Sequence, residues 1–189
     1  MNKVYISANT LLEDSFALAR SVHQSGFKPD LILGVWRGGA SVAIAVQECF
    51  EYLGHVADHF VVRTSSYHDI GKQDKHVKVD GLEYVLETVH PDMSLLVVDD
   101  VFDSGRSVQA LLNTLQIKAA DNYPKDIRTA CVWFKPERNS TPLVPDYYEK
   151  TTDDWLVFPH ELVGLSDREI RKEKPSCLGS LLTDNDKPL

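Results

Sequence analysis

Short apolar runs alternate with segments of helical spacing through most of this chain, and that alternation limits the fold more than any other feature. LILGV (31–35), HFVVRT (59–64), LLVV (95–98) and IRTACVWF (127–134) have the length and composition of strands buried in a sheet. NTLLEDSFALARSVHQSG (9–26), ASVAIAVQECFEYLG (40–54) and SVQALLNTLQI (107–117) carry apolar residues at the helical period. In the first of these Leu12, Phe16, Ala19 and Val22 make one face, Thr10 and Glu13 have capping-box spacing, and Gly26 ends the helix. Strands separated by helices predict an α/β fold, a parallel sheet flanked by helices. GLEYVLETV (81–89) is a short helix or a mixed segment, and the polar stretch SSYHDIGKQDKHVKVDG (65–81) resists any packed assignment. Beyond residue 142 the elements shorten, with YYEK and DWLVF as strands, and the charged tail from Ser166 is expected to fray. With no internal repeat and no linker, one domain over 1–189 is expected: a core over about 27–134, a small C-terminal hood over about 135–165 and a tail over 166–189.

Composition excludes several classes. At 189 residues, with 43% hydrophobic and 25% charged content, the chain can bury a good core. No apolar run approaches the length of a membrane span, and MNKVYISANT lacks an apolar signal segment, so no membrane association is expected. Cys49, Cys131 and Cys177 show no paired spacing, which predicts reduced thiols and a cytoplasmic protein. A net charge of −8 argues against a general nucleic-acid binder. An anionic ligand must therefore be met by local cations or Mg²⁺.

VVDDVFDSGRS (97–107) places Asp99, Asp100 and Asp103 beside a strand-to-helix turn that suits an anion. Backbone N–H groups around Ser104 to Ser107, with the hydroxyls of Ser104 and Ser107, can cradle a phosphate. Asp99 and Asp100 can accept from a vicinal diol or approach a divalent cation. A sugar phosphate with a free diol satisfies both demands, and Asp103 then sits between the sugar and whatever occupies its C1 position. The alternative is a solvated turn with a capping Asp. Neither GxxxxGK(S/T) nor a GxGxxG opening a helix is present. In an open parallel sheet ligands sit beyond the carboxyl ends of the strands, where WRGG after 31–35 and DDVFDSGRS after 95–98 both open.

Thirteen consecutive positions (95–107) resemble the phosphoribosyl-pyrophosphate (PRPP) signature of the type I phosphoribosyltransferases: four apolar residues, two acids, two variable residues, then D-S/T-G-x-S/T. The resemblance implies a Mg²⁺-dependent enzyme that joins a nitrogen base to PRPP and releases pyrophosphate. By position, Asp99 and Asp100 would hold the ribose hydroxyls, Asp100 also standing near the metal. Ser104, Gly105, Arg106 and Ser107 would hold the 5′-phosphate, Arg106 through its backbone alone. LILGVWRGGA (31–40) is similar to the family's pyrophosphate loop, here Trp36, Arg37, Gly38 and Gly39. The two glycines would let the backbone approach the leaving group, and Arg37 would add a cation. Trp36 departs from the smaller residue expected there. In the 6-oxopurine branch this loop can contain a cis non-proline peptide.

WFKPERNSTPLVPDYYEKTTDDWLVFPHE (133–161) resembles the base-recognition end of bacterial xanthine-guanine phosphoribosyltransferase and related 6-oxopurine enzymes, through Lys135-Pro136, Pro142-Leu143-Val144, Asp146-Tyr147, Trp155-Leu156, Pro159 and Glu161. Lys135 is donor-only and can hydrogen-bond O6 of guanine, hypoxanthine or xanthine. Trp155 can stack on the ring, or be a core aromatic. The Leu156 carbonyl could accept from a ring N–H or exocyclic amine. Glu161 is either a holder of water on Mg²⁺ or pyrophosphate, or a surface turn carboxylate. Ser66 and Tyr67, followed by Gly71 and several lysines, are similar to the mobile lid of hypoxanthine-guanine enzymes, while His68 and His76 read as solvated loop residues. The implied reaction is transfer to purine N9, with Asp103 accepting a hydrogen bond or proton from N7. The implied partners are PRPP, a 6-oxopurine base and further copies of the chain, as a dimer or tetramer. Two rivals stand: a PRPP- or nucleotide-sensing regulator without catalysis, and a phosphoribosyltransferase for another base such as orotate or adenine.

Overall fold

The computed structural model describes residues 3–67 and 76–181. Along the chain lie β1 (Lys3–Tyr5), α1 (Ala8–Gln24), β2 (Leu31–Trp36), α2 (Gly38–Tyr52), β3 (Asp58–Tyr67), β4 (His76–Asp80), α3 (Glu83–Thr88), β5 (Ser94–Phe102), α4 (Arg106–Ala119), a 3-10 turn (Ala120–Asn122), β6 (Asp126–Phe134), β7 (Tyr147–Thr151), β8 (Trp155–Val157), α5 (Asp167–Glu173) and α6 (Ser176–Leu181). They divide into two compact units, Leu12–Asp153 and a smaller one of Met1–Leu11 with Asp154–Leu189.

The larger unit is a six-stranded sheet in the order β4-β3-β2-β5-β6-β7. Every pair is parallel except β3–β4. This is the parallel α/β sheet that the sequence predicts, with one antiparallel edge. On one face Leu31, Leu33 and Val35 of β2 join Leu95 and Val97 of β5 under Val85 of α3 and Leu111 and Leu115 of α4. Each such buried aliphatic side chain contributes about 1.5–3 kcal/mol. On the other face Gly34 lets α2 lie close, since a Cβ there would stand 2.9 Å from that of Ala43.

Several elements differ from expectation. β5 does not stop at Val98 but runs to Phe102, because its pairing with β6 continues through Asp99↔Cys131, Val101↔Trp133 and Phe102↔Phe134. Phe102 is buried edge-on against Phe134, so the apolar pattern resumes after the two acids. The polar stretch 65–81 does pack at both ends: β3 extends to Tyr67 and β4 returns beside it, from Tyr67↔His76 to Arg63↔Asp80. His68 and Gly71 lie outside the described residues. Segment 81–89 resolves to a helix, α3. Helix α1 starts earlier than expected, at Ala8, with the Thr10 amide donating to the Ser7 hydroxyl, so Ser7 takes the capping place assigned to Thr10. Its buried stripe is Leu11, Ser15, Leu18, Ala19 and Val22, whereas Leu12 and Phe16 are exposed. A polar Ser15 in the stripe disguised which face turns inward.

In the smaller unit β1 pairs in parallel with β8, Lys3↔Trp155 through Tyr5↔Val157. Of the tail expected to fray from Ser166, the part to Leu181 carries two short helices, α5 and α6, and its end TDNDKPL lies outside the described residues. At the start of α5 is a capping box, in which the Ser166 hydroxyl accepts from the Glu169 amide and Glu169 accepts from the Ser166 amide. Glu169 also accepts from Lys3 Nζ at 2.6 Å and from the Tyr5 hydroxyl at 2.7 Å. These bonds, Lys3 first, hold its carboxyl well below the ordinary 4.5, while burial and then Glu169 push the Tyr5 phenol up to about 12. A carboxylate depressed in the folded state stabilises it above the unfolded value and loses that contribution as pH falls. Glu169→Gln should therefore melt at a lower temperature than wild type at pH 7, with the gap narrowing as pH drops below 4.5. Melting curves from pH 7 to 3 test this; a gap independent of pH would remove the carboxylate charge from the explanation.

Candidate active site

β2 and β5 are parallel neighbours, so the turns that follow them emerge side by side. The first turn passes through a cis Trp36–Arg37 peptide into α2, which begins at Gly38. Its backbone lies directly on the acid pair. A Cβ on Gly38 would fall 1.7 Å from Asp100 Oδ2, and one on Gly39 would meet the Val98 carbonyl oxygen at 2.5 Å and Asp99 Cα at 2.8 Å. Asp99 accepts from the Gly39 amide, and its Oδ1 accepts from the Asp100 amide at 2.9 Å. Asp100 Oδ1 accepts from the Val101 amide at 2.9 Å. Burial, and after it the charge of Asp100, pushes the Asp99 carboxyl well above the usual range. The two acids thus form a crowded like-charge pair, which a bound cation would relieve.

The second turn carries Asp103, Ser104 and Gly105 between β5 and α4. Gly105 has φ of 74°, and a Cβ there would also strike Thr141 Oγ1 at 2.4 Å. α4 starts at Arg106, so the amides of its first turn, Ser107 among them, have no acceptor within the helix. A second segment closes over this turn. The Lys135 amide donates to the Phe102 carbonyl, the Ser140 amide to the Ser104 carbonyl, and Arg106 Nε to the Ser140 hydroxyl. Lys135 is thereby brought beside Asp103, its Nζ donating to Oδ2 at 3.0 Å, and Arg138 Nε donates to Oδ1 at 2.7 Å. Lys135 is buried, with 6% of its side chain exposed.

A model of the phosphoribosyl transferase domain matches residues 7–164. The chain belongs to the phosphoribosyltransferase family. Among its relatives is the hypoxanthine-guanine phosphoribosyltransferase of Lactococcus lactis subsp. lactis (strain IL1403), 27% identical over 183 residues, 93% of this chain and 88% of the relative. The crystal structure of purine phosphoribosyltransferase from Pyrococcus horikoshii Ot3 superposes with a TM-score of 0.68 at 28% identity, covering 88% of this chain and 99% of that one. Helicobacter pylori xanthine-guanine-hypoxanthine phosphoribosyltransferase gives 0.65 at 25% identity over 83% and 92%. These relatives carry purine names, the branch that the sequence resembles.

In this phosphoribosyltransferase the larger unit therefore gathers the two turns, the acid pair, Asp103 and Lys135. Ser66 and Tyr67 are the last residues of β3, opposite Val77 and His76. The remaining expected site residues belong to the smaller unit. Trp155 is half exposed, with Lys3 Nζ 5.6 Å from its ring centre, and Leu156 is buried in β8 beside Val4. Glu161 accepts from the Phe158 amide at 3.0 Å, the behaviour of a turn carboxylate. Among the described residues no group of three or more His, Cys, Asp or Glu could hold a metal ion. Asp99 and Asp100 nonetheless fit Mg²⁺, a hard cation that takes one or two carboxylates and completes its shell with substrate phosphates and water.

Sequence reasoning did not single out Arg138 or Ser140. Both follow Lys135 in PERNS, and the signal available was their place after β6, the neighbour of β5 in the sheet.

Proposed function

We propose that this enzyme transfers the 5-phosphoribosyl group of PRPP to N9 of a 6-oxopurine, guanine, hypoxanthine or xanthine, and releases pyrophosphate. One observation carries the reading: a buried donor-only cation, Lys135, lies bonded to an acceptor carboxylate, Asp103, at the ends of adjacent strands. A 6-oxopurine offers the matching pair on one edge, the O6 acceptor beside the N7 position. Adenine would set an amine donor against the Lys135 ammonium, which has no acceptor to offer.

In the reaction the N9–C1 bond forms as the bond from C1 to the pyrophosphate oxygen breaks. Asp103 accepts a hydrogen bond or proton at N7 while N9 attacks. Arg37 adds a cation at the departing pyrophosphate, and Gly38 and Gly39 let the backbone approach it. Asp99 and Asp100 take the ribose hydroxyls, and Ser104, Gly105, Arg106 and Ser107 take the 5′-phosphate. Mg²⁺, held by Asp100 and the substrate phosphates, would neutralise charge on the leaving group. Ser66 and Tyr67 belong to a lid that excludes water. Trp155 stacks on the ring and the Leu156 carbonyl accepts from it. Glu161 keeps its local turn contacts. The reading includes one functional domain over the whole chain and a cytoplasmic homo-oligomer.

A spectrophotometric assay with Mg²⁺ and PRPP, offering guanine, hypoxanthine, xanthine, adenine and orotate in turn, tests it. Turnover confined to 6-oxopurines is expected. Turnover with adenine or orotate would move the enzyme to another branch, and binding of PRPP without turnover on any base would favour the sensing regulator. Lys135→Ala should cost about 10- to 100-fold in kcat/KM for 6-oxopurines, the worth of one charge-assisted hydrogen bond. An unchanged base preference in that variant would remove Lys135 from base selection.

A further inference from the structure

We propose that Arg138 is a positioning residue that holds the Asp103 carboxylate in its working orientation when Lys135 turns to the base; this rests on the function proposed above. Both Asp103 oxygens are occupied by cations, Oδ2 by Lys135 Nζ at 3.0 Å and Oδ1 by Arg138 Nε at 2.7 Å. The proposed reaction needs donors of Lys135 at O6 and an oxygen of Asp103 at N7. As Lys135 turns toward the base, its hold on Oδ2 loosens. A carboxylate left with no other tether can rotate about its Cβ–Cγ bond. Arg138 on Oδ1 prevents that and leaves Oδ2 facing the base.

The backbone is arranged to keep Arg138 in place. Its amide and that of Asn139 both donate to the Lys135 carbonyl, at 3.2 and 3.1 Å, and the next residue, Ser140, is bonded to the Ser104 carbonyl. One tight turn thus carries both cations that meet Asp103, and it is fastened on either side of that residue, to Phe102 and to Ser104. The Arg138 side chain is 44% exposed. A pair so open to solvent contributes little to stability, so the fold does not need it and its removal should leave the protein folded.

The test uses the full chain with saturating Mg²⁺ and PRPP and whichever of guanine, hypoxanthine and xanthine wild type turns over fastest. Arg138→Met should lower kcat about 10- to 100-fold, with the KM for PRPP changed less than about threefold, as expected when a reacting group is misplaced rather than a ligand lost. Arg138→Lys, which restores a donor, should recover most of the loss. In an Asp103→Asn background the Met substitution should add less than about a threefold loss, because Arg138 acts through that carboxylate. Equal losses in both backgrounds would show an independent action and overturn the proposal. So would an unchanged kcat, or a raised KM for PRPP at full kcat, which would make Arg138 a phosphate binder. If wild type turned over no 6-oxopurine, the proposed function would fail and this inference with it; the other adverse outcomes overturn this inference alone.

Discussion

Asp103→Asn should lower turnover about 10²- to 10⁴-fold while PRPP still binds. The substitution keeps the shape of the side chain and a carbonyl oxygen for Lys135, but removes the anionic carboxylate that can take a proton from N7. It also leaves two cations facing a neutral amide. Lys135 is buried, so its ammonium loses the anion that compensated its desolvation. The cost to stability should nevertheless be modest, about 1–2 kcal/mol, because Asp103 is one-third exposed and Asn can still accept a hydrogen bond. Steady-state rates, a PRPP titration and a melting curve on the same preparation separate the two effects. An Asn variant as active as wild type would take Asp103 out of the chemistry.

Adding a methyl group at either glycine of the first turn should be nearly as damaging, in two different ways. At Gly39 the new atom meets backbone, the Val98 carbonyl and Asp99 Cα, which cannot yield without parting α2 from β5. Gly39→Ala should cost about 1–3 kcal/mol of stability, the usual price of overpacking. At Gly38 the obstacle is the Asp100 carboxylate, a side-chain end that can swing aside. Gly38→Ala should therefore melt close to wild type yet lose about 10- to 100-fold in kcat/KM for PRPP, since the displaced carboxylate is the one assigned to ribose and metal. Thermal melts and PRPP-dependence of the rate distinguish the two variants. A Gly38→Ala enzyme with normal kinetics would mean that Asp100 has no place at the sugar.

The parts of this molecule that could be read from sequence are those whose cause is local. Buried strands such as LILGV need continuous apolar residues, and turns that approach a ligand need glycine and small polar groups, so WRGG and DSGRS stand out. What escaped reading depends on partners distant in the chain. β5 extends through Asp99 and Asp100 because Cys131 to Phe134 pair with it. The antiparallel pairing of β3 with β4 runs through the mostly polar stretches 63–67 and 76–80, which pairing rather than a hydrophobic run defines. β1 is three residues long and acquires meaning only beside β8. Arg138 meets Asp103 across 35 positions of sequence. The Ser166 capping box was legible in SDRE, but the charge of the surrounding tail hid it.

The pairing of β1 with β8 also sets an order of events during synthesis. The larger unit is one continuous stretch, Leu12–Asp153, and every strand of its sheet has been made once Asp153 leaves the ribosome. Lys3 is made before the whole of that stretch, and its carboxylate partner Glu169 follows 166 positions later. At about 5–20 residues per second, roughly 10–30 s pass before the two can meet. β1 is thus left waiting for β8 and α5, and a strand made before the sheet of the larger unit is secured only after that sheet is complete.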